Sequence, residues 1–368
     1  MQQEETPKLD LGSLGSFDFT PDWAKQKAGV SVGTVDRILH NRPNVSATAR
    51  QKLEEVLEKI NYKPNRYASA LAYNKEYTFY VIMPKHSSEA YWAEIEEGIH
   101  HACDQRSDFN IETKTLYYSR YDAEDFMKQC NVCLDMQPDA VVLVPTHFDA
   151  TKMFTDKLHE LNIPLMLLDS YMPELAPLSF FGQDSFSSGY FAAKMLMLLA
   201  ANDKQIMFMK QTKDGKVSSR QQENREIGFR NYMRAHFPDV EILELDLPLD
   251  VNKDEYSDML KKFFDEYPDV HHCITLASKA YLVAEYLLYT KRTDVKIMGY
   301  DMVPKNAECL RKGSISFLIA QHAFMQGFHC IDTLVKSIVL KREIKPVNYM
   351  PIELLTKENV DFYNRTQI

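Results

Sequence analysis

From Thr78 onward the chain repeats one pattern: short apolar segments with strand character, separated by stretches with helical periodicity. The strand patterns fall at Thr78–Met83, Ile111–Leu116, Ala140–Val144, Pro164–Leu168, Gln205–Met209, Glu241–Leu245, His272–Leu276, Val295–Met298 and Ser316–Ile319. Helical patterns between most of them predict parallel sheets in doubly wound α/β domains. A loose internal repeat runs through this region. VVLVP is followed by PLMLLD ending at Asp169, and CITLA is later followed by VKIMGYD ending at Asp301. Each half would then present an acid at the carboxyl end of a strand, where ligands sit in open α/β sheets. Two such lobes facing one another form a cleft. A one-residue slip in either strand would turn its acid away from that cleft.

The first part of the chain reads differently. Residues 1–19 carry glycine, serine and scattered charge without periodicity, and are expected to be a disordered tail. Thr20-Pro21 suits a helix start, with Thr20 as cap and Pro21 in the first turn, and Gly29 suits its end. Ser31 can cap a second helix, in which Val32, Val35, Ile38 and Leu39 share an apolar face and Gly33, Thr34, Asp36 and Arg37 the other. Asn44-Val45-Ser46 caps a third, whose stripe is Val45, Leu53, Val56, Leu57 and Ile60. Three helices over residues 20–63 make a small headpiece, and residues 64–76 form a short linker with one prominent leucine, Leu71. A short helix, a glycine turn and a second helix with a polar outer face can form a helix-turn-helix, whose second helix enters the major groove. Any capped surface helix would have the same spacing.

Charge separates the same regions. Net charge is −9, yet between Thr20 and Lys75 ten Lys/Arg face five Asp/Glu, leaving −14 for the remainder. A basic module on an acidic body suits one polyanion-binding end. The N-terminal sequence has neither the basic nor the apolar region of a secretory signal, and no apolar run is long enough to span a bilayer, so a soluble cytoplasmic protein is expected. Six cysteines in a chain of 368 residues do not suggest a disulfide framework.

The stretch VSVGTVDRILHNRPNVSATARQKLEEVLEKINYKPNRYASAL resembles the headpiece and hinge of the lactose-repressor (LacI/GalR) family of bacterial transcription factors. Weaker landmarks follow in order: YWAEIEEGI, PDAVVLVP, IPLMLLDS, ENREIGFRNYM, VKIMGYD and SISFLIAQHAFMQG. They resemble that family's periplasmic-sugar-binding-protein-like body, two lobes joined by three crossovers, here residues 77–368. The resemblance implies a homodimeric regulator, expected to repress, that binds a double-stranded DNA operator under control of a small polar effector such as a sugar. It implies base reading by Val32, Gly33 and Arg37, and phosphate contacts by Ser31, Thr34 and Asn44. Leu71 would wedge into the minor groove, with Asn65 and Ala68 beside it. In the cleft it implies Tyr91, Trp92, Asp169, Arg225, Asp301 and Gln321 as ligand-binding residues, the aromatics for sugar C–H faces and the polar groups for hydroxyls. Four departures stand out. The first helix has one residue more than the family spacing, so Trp23 and Ala24 cannot both keep core registers. Asp36 and Ser69 replace a small hydroxyl residue and a hinge arginine. Ala277-Ser278 stands where an amide or acid often completes the ligand shell.

Other motifs invite chemistry that their context does not support. Cys130-x-x-Cys133 lies within a helical pattern and lacks a second Cys or His pair at metal-ligand spacing, so buried core thiols are expected, and no metal or cofactor. The pairs His100-His101 and His271-His272 diverge too far for bidentate binding. Glu94, Glu96 and Glu97 read as a solvated helix face, Trp92 alone as core and Arg225 alone as a surface ion pair. No G-x-G-x-x-G or G-x-x-x-x-G-K-[ST] is present, which argues against an enzyme. The alternative function is a two-lobed sugar-binding or sugar-modifying protein with a degraded headpiece.

Overall fold

The computed structural model describes residues 20–39, 43–60, 75–200, 202–213, 215, 219–249 and 251–363. The chain divides into two compact units, residues 1–73 and 74–368. Asn65, Ala68, Leu71 and Ser69, named above for the hinge, lie outside the described residues.

The first unit holds α1 (Pro21–Ala28), α2 (Val32–Leu39) and α3 (Ala47–Lys59). Their boundaries follow from local chemistry. The Thr20 hydroxyl accepts the Trp23 N–H, and Gly29 closes α1 in the left-handed conformation at φ 65°, where a side chain would be strained. Ser31 Oγ accepts the Thr34 N–H at 3.1 Å, and Ser46 Oγ accepts the Ala49 N–H at 3.2 Å. The core is Ala24, Ala28, Val35, Ile38 and Leu53, with Trp23, Leu39, Val56 and Leu57 packed at its edge. The extra residue of the first helix is therefore absorbed by register: Ala24 is fully buried and Trp23 half-buried. One expectation needs correcting. Val32, grouped by periodicity with the apolar face, is exposed, because in the first turn of α2 it lies beyond the reach of α1 and α3.

The second unit is built on two six-stranded sheets. The first contains β1 (Tyr77–Pro84), β2 (Ile111–Tyr118), β3 (Ala140–Leu143), β4 (Leu165–Leu168), β5 (Ser179–Gly182) and β11 (Val347–Tyr349). Its order is β11-β5-β4-β3-β1-β2, all parallel. The second contains β6 (Gln205–Thr212), β7 (Glu241–Pro248), β8 (His272–Thr275), β9 (Lys296–Tyr300), β10 (Phe317–Ala320) and β12 (Glu353–Leu355). Its order is β12-β10-β9-β8-β6-β7, parallel except for β12. The nine strands expected from sequence are all present. The pattern missed β5, β11 and β12, which are only three or four residues long and show no alternation.

Helices cover both faces, so the central strands are apolar on both sides. Cys273 of β8 packs into one core of the second lobe and its neighbour Ile274 into the other. The chain passes between lobes three times: after Gly182, after Ala320 and between Tyr349 and Glu353. In each lobe one helix pair crosses at unusually short range. In the first lobe, α4 (Tyr91–Gln105) meets α12 (Ala323–Leu334), and a Cβ on Gly98 would lie 1.9 Å from the Phe324 carbonyl oxygen. In the second, α7 (Ser185–Leu199) meets α8 (Arg220–His236), and a Cβ on Gly189 would lie 1.9 Å from the carbonyl oxygen of Arg225. Only glycine permits either approach, and the second one fixes the backbone that carries Arg225.

Candidate functional site

In the headpiece, α2 presents two unlike faces. Val35 and Ile38 are buried, while Ser31, Val32, Gly33 and Arg37 are exposed on the opposite side. Ser31 Oγ and Thr34 Oγ1 lie 2.8 Å apart, so the two residues assigned to phosphate contacts also fix each other across the first turn. Thr34 is half-buried, and Asn44 is exposed and held at φ 66°. Arg37 and Val32 project from rigid helix on a packed core, the arrangement that direct base readout requires.

In the body, the two acids of the internal repeat occupy equivalent positions. Asp169 follows β4 and Asp301 follows β9, and both adopt the left-handed conformation, at φ 68° and 71°. The Asp169 N–H donates to the Phe181 carbonyl at 2.9 Å and the Asp301 N–H to the Ile319 carbonyl at 3.0 Å. The turn at each strand end therefore directs the acid to the carboxyl edge of its sheet.

Between them lies a closed polar network. The Tyr91 hydroxyl donates to Asp169 Oδ1 at 3.0 Å and accepts from Gln326 Nε2 at 2.9 Å. Gln321 Nε2 donates to Asp301 Oδ1 at 2.6 Å. Its Oε1 accepts from Gln221 Nε2 at 3.0 Å and from the Arg225 guanidinium, which also donates to the Leu276 carbonyl at 3.0 Å. The guanidinium stacks on the Tyr300 ring, 4.2 Å from its centroid. Asn306 Nδ2 ties the carbonyls of Ser278, Tyr300 and Asp301 together at 2.8–3.0 Å.

The structure thus brings Tyr91, Asp169, Arg225, Asp301 and Gln321 into one network, every member nearly inaccessible to solvent. Arg225 is not a surface ion pair; it is 3% exposed. Burial raises the pKa of both Asp169 and Asp301, with the Arg225 charge opposing it. Burial, reinforced by both carboxylates, also drives the Tyr91 hydroxyl well above its ordinary value. Such a cluster can exchange its internal hydrogen bonds for those of a polyhydroxylated ligand, but it carries no poised nucleophile.

Beside the network an inter-lobe cavity of about 340 Å³ opens, lined by Tyr91 and Trp92 from the first lobe and by Gln211, Gln222 and Ser278 from the second. Trp92 is half-buried at the cavity wall rather than core. Sequence reading missed Gln221, Gln326, Arg120, Lys279 and Lys305. Arg120 was within reach of it, standing two residues past the carboxyl end of β2; Gln221 and Gln326 join the network only through long-range packing.

The remaining motifs resolve simply. Cys130 and Cys133 are buried in the first-lobe core, and burial raises both thiols, Cys133 to about 12, so neither is a thiolate at neutral pH. His271 bonds Asp294 and His272 bonds Asp203, on opposite sides of the strand. Glu96 is not merely solvated: it accepts from the Tyr117 hydroxyl and lies 3.2 Å from His86. Among the described residues no helix is long and apolar enough to cross a membrane.

Comparison with known proteins separates the same two parts. The profile of bacterial regulatory proteins of the lacI family matches residues 24–65, and that of the periplasmic binding protein domain matches residues 79–341. A crystal structure from Bacteroides fragilis, described as a LacI transcriptional regulator, is 46% identical, with a TM-score of 0.77 over 79% of this chain and 100% of that one. The chain belongs to the LacI family. A regulator of Lachnoclostridium phytofermentans described as HTH-type is 32% identical over 150 residues, 40% of this chain and 44% of that protein. The chain therefore spans less than half of the length of that curated relative. A solute-binding protein of Burkholderia graminis, solved with D-arabinose, superposes with a TM-score of 0.70 over 78% of this chain and 98% of its own at 14% identity, which establishes a shared fold. Both regulators are family members named for transcription rather than catalysis. The periplasmic-binding-protein fold accounts for the paired α/β lobes.

Proposed function

We propose that this LacI-family protein is a sequence-specific DNA-binding transcriptional regulator, a cytoplasmic homodimer whose operator affinity is set by a small polar effector in the cleft. The observation that carries this reading is the outer face of α2, where Val32, Gly33 and Arg37 stand exposed above a buried Val35–Ile38 stripe. Arg37 donates to guanine O6 and N7, Val32 meets a thymine methyl, and Gly33 lets the helix approach; Ser31, Thr34 and Asn44 set register on phosphates. One headpiece of three short helices offers little contact area, so two act together on a near-palindromic site. Residues 64–76 link the headpiece of residues 20–63 to the body of residues 77–368, and Leu71, with Asn65 and Ala68 beside it, wedges the minor groove.

The effector is a sugar or sugar derivative. Asp169 and Asp301 come from opposite lobes and are linked through Tyr91, Gln326, Gln321 and Arg225. A ligand that replaces part of this chain of bonds changes the relative stability of open and closed lobes, and only that difference can alter DNA binding. Operator selection from random duplexes tests the reading directly. Wild type should return a near-palindrome, and Asp301→Ala should bind it without ligand while losing the response to ligand. A full chain that enriches no sequence, or that binds its site as a monomer, is incompatible with it.

A further inference from the structure

The wall of the inter-lobe cavity is strongly basic. Lys85, Arg120, Lys279 and Lys305 line it, against Glu89 as the acid. Lys85 has a partner in Asp125, 3.6 Å away. Among the described residues no carboxylate lies within 4.0 Å of Arg120, Lys279 or Lys305, although ion pairs are abundant elsewhere on the second unit. Arg120 stands over the Trp92 ring, 5.9 Å from its centroid, and its Nε is buried with no hydrogen-bond partner. Lys305 Nζ lies over the Tyr281 ring, 5.0 Å from its centroid. Burial and the neighbouring Lys305 charge hold the Lys279 ammonium below its ordinary pKa, so its surroundings disfavour the charge that it carries.

These cations come from both lobes, Arg120 after β2 and Lys279 and Lys305 after β8 and β9. The opening turns of α4 and α8, and those of α10 (Tyr281–Tyr289) and α11 (Pro304–Lys312), also line the space, adding the positive ends of their dipoles. We propose that the effector is an anionic monosaccharide, bearing a carboxylate or a phosphate that bridges Arg120 of the first lobe to Lys279 and Lys305 of the second. Trp92 covers a C–H face of its ring, and Gln211, Gln222 and Ser278 serve its hydroxyls. A neutral sugar would leave three cations facing one another across the cleft, whereas an anion compensates them and draws the lobes together. This inference rests on reading the cleft as the effector site.

Calorimetry and tryptophan fluorescence on the full chain test it, with glucose, galactose and mannose each compared with its uronate and its 6-phosphate. At least one anionic member should bind and change Trp92 emission, with its neutral parent at least about tenfold weaker, and the arm that binds identifies carboxylate or phosphate. Lys279→Gln and Arg120→Gln should each weaken that anion by roughly tenfold to a hundredfold, and added salt should weaken wild type more than either variant. If one variant fails to fold, the other carries the test. A neutral parent that binds as tightly as its anions, or a panel in which no anion binds, overturns the inference. Of these, a neutral sugar that changes Trp92 emission overturns only the charge and leaves the cleft as effector site. An anion whose affinity is indifferent to Lys279→Gln, Arg120→Gln and Trp92→Phe binds elsewhere, and removes both readings.

Discussion

In the headpiece Val32, Gly33 and Arg37 stand exposed on a helix whose other face is core, whereas in the body Asp169, Arg225, Asp301 and Gln321 are each no more than 4% exposed and bond one another. The exposed side chains of the first surface do not depend on one another and can be changed one at a time. The second is a set of mutual contacts, each side chain satisfying another that would otherwise be buried and unpaired. Substitutions should therefore separate into two kinds: loss of specificity with stability retained in the headpiece, and loss of stability together with ligand response in the cleft.

The sharpest separation is expected at Arg225. Arg225→Ala removes the cation opposing both buried acids, takes its donor from the Leu276 carbonyl and leaves the Gln321 amide oxygen with Gln221 alone, which should cost about 3–5 kcal/mol of body stability. Urea denaturation measures this, and a loss within error of zero would mean that the network does not act as a unit. Next is Gly189→Ala, whose new methyl meets the Arg225 carbonyl oxygen at 1.9 Å. Overpacking of this kind should cost about 1–3 kcal/mol and weaken effector binding at a distance from the cavity, by moving Arg225. Unchanged effector affinity in a destabilised Gly189→Ala protein would break the link between helix crossing and site.

Arg37→Ala belongs to the other kind. It should relax the preference at one base pair by about 1–3 kcal/mol and shift stability by less than about 0.5 kcal/mol. If selection returns the wild-type sequence preference from Arg37→Ala, base reading lies elsewhere on α2. The smallest effect concerns Asp332, which holds Arg106 and Lys336 at the α4–α12 crossing. Burial pushes its carboxyl up, but the bonds and charges of Lys336 and Arg106 outweigh this and hold it below the ordinary range. Its ionised form therefore stabilises the fold above the unfolded-state value of about 3.9, and the contribution disappears as pH falls through the depressed folded value. Asp332→Asn should lower the unfolding free energy at neutral pH, by no more than about 1 kcal/mol given the half-exposed cations, and by less in acid, which urea denaturation at the two pH values measures. An equal loss at both pH values would point to packing instead of charge.

What could be read from the chain beforehand tracks how local each signal is. The helix caps Thr20, Ser31 and Ser46 are set by interactions three residues apart, and all three form as the pattern suggests. The strands with continuous apolar runs were legible for the same reason, as was the matched placement of Asp169 and Asp301 at strand ends. Val32 was misplaced because periodicity locates a face without saying how far its neighbours extend. The strands β5, β11 and β12 escaped because three or four residues carry too little pattern. Gln221 and Gln326 escaped because their partners are 100 and 235 residues away in the chain.

Element order, the doubled α/β body, the polar outer face of α2 and the residue types available to a cleft all follow from the pattern of the chain. Each depends on periodicity or on contacts within a few residues. Tertiary packing settles that the ligand-site candidates are closed upon one another, and that Arg120, Lys279 and Lys305 line one cavity with no carboxylate among the described residues within ion-pair distance. Burial and charge compensation are sums over neighbours in space, and the fold draws those neighbours from strands and helices hundreds of residues apart.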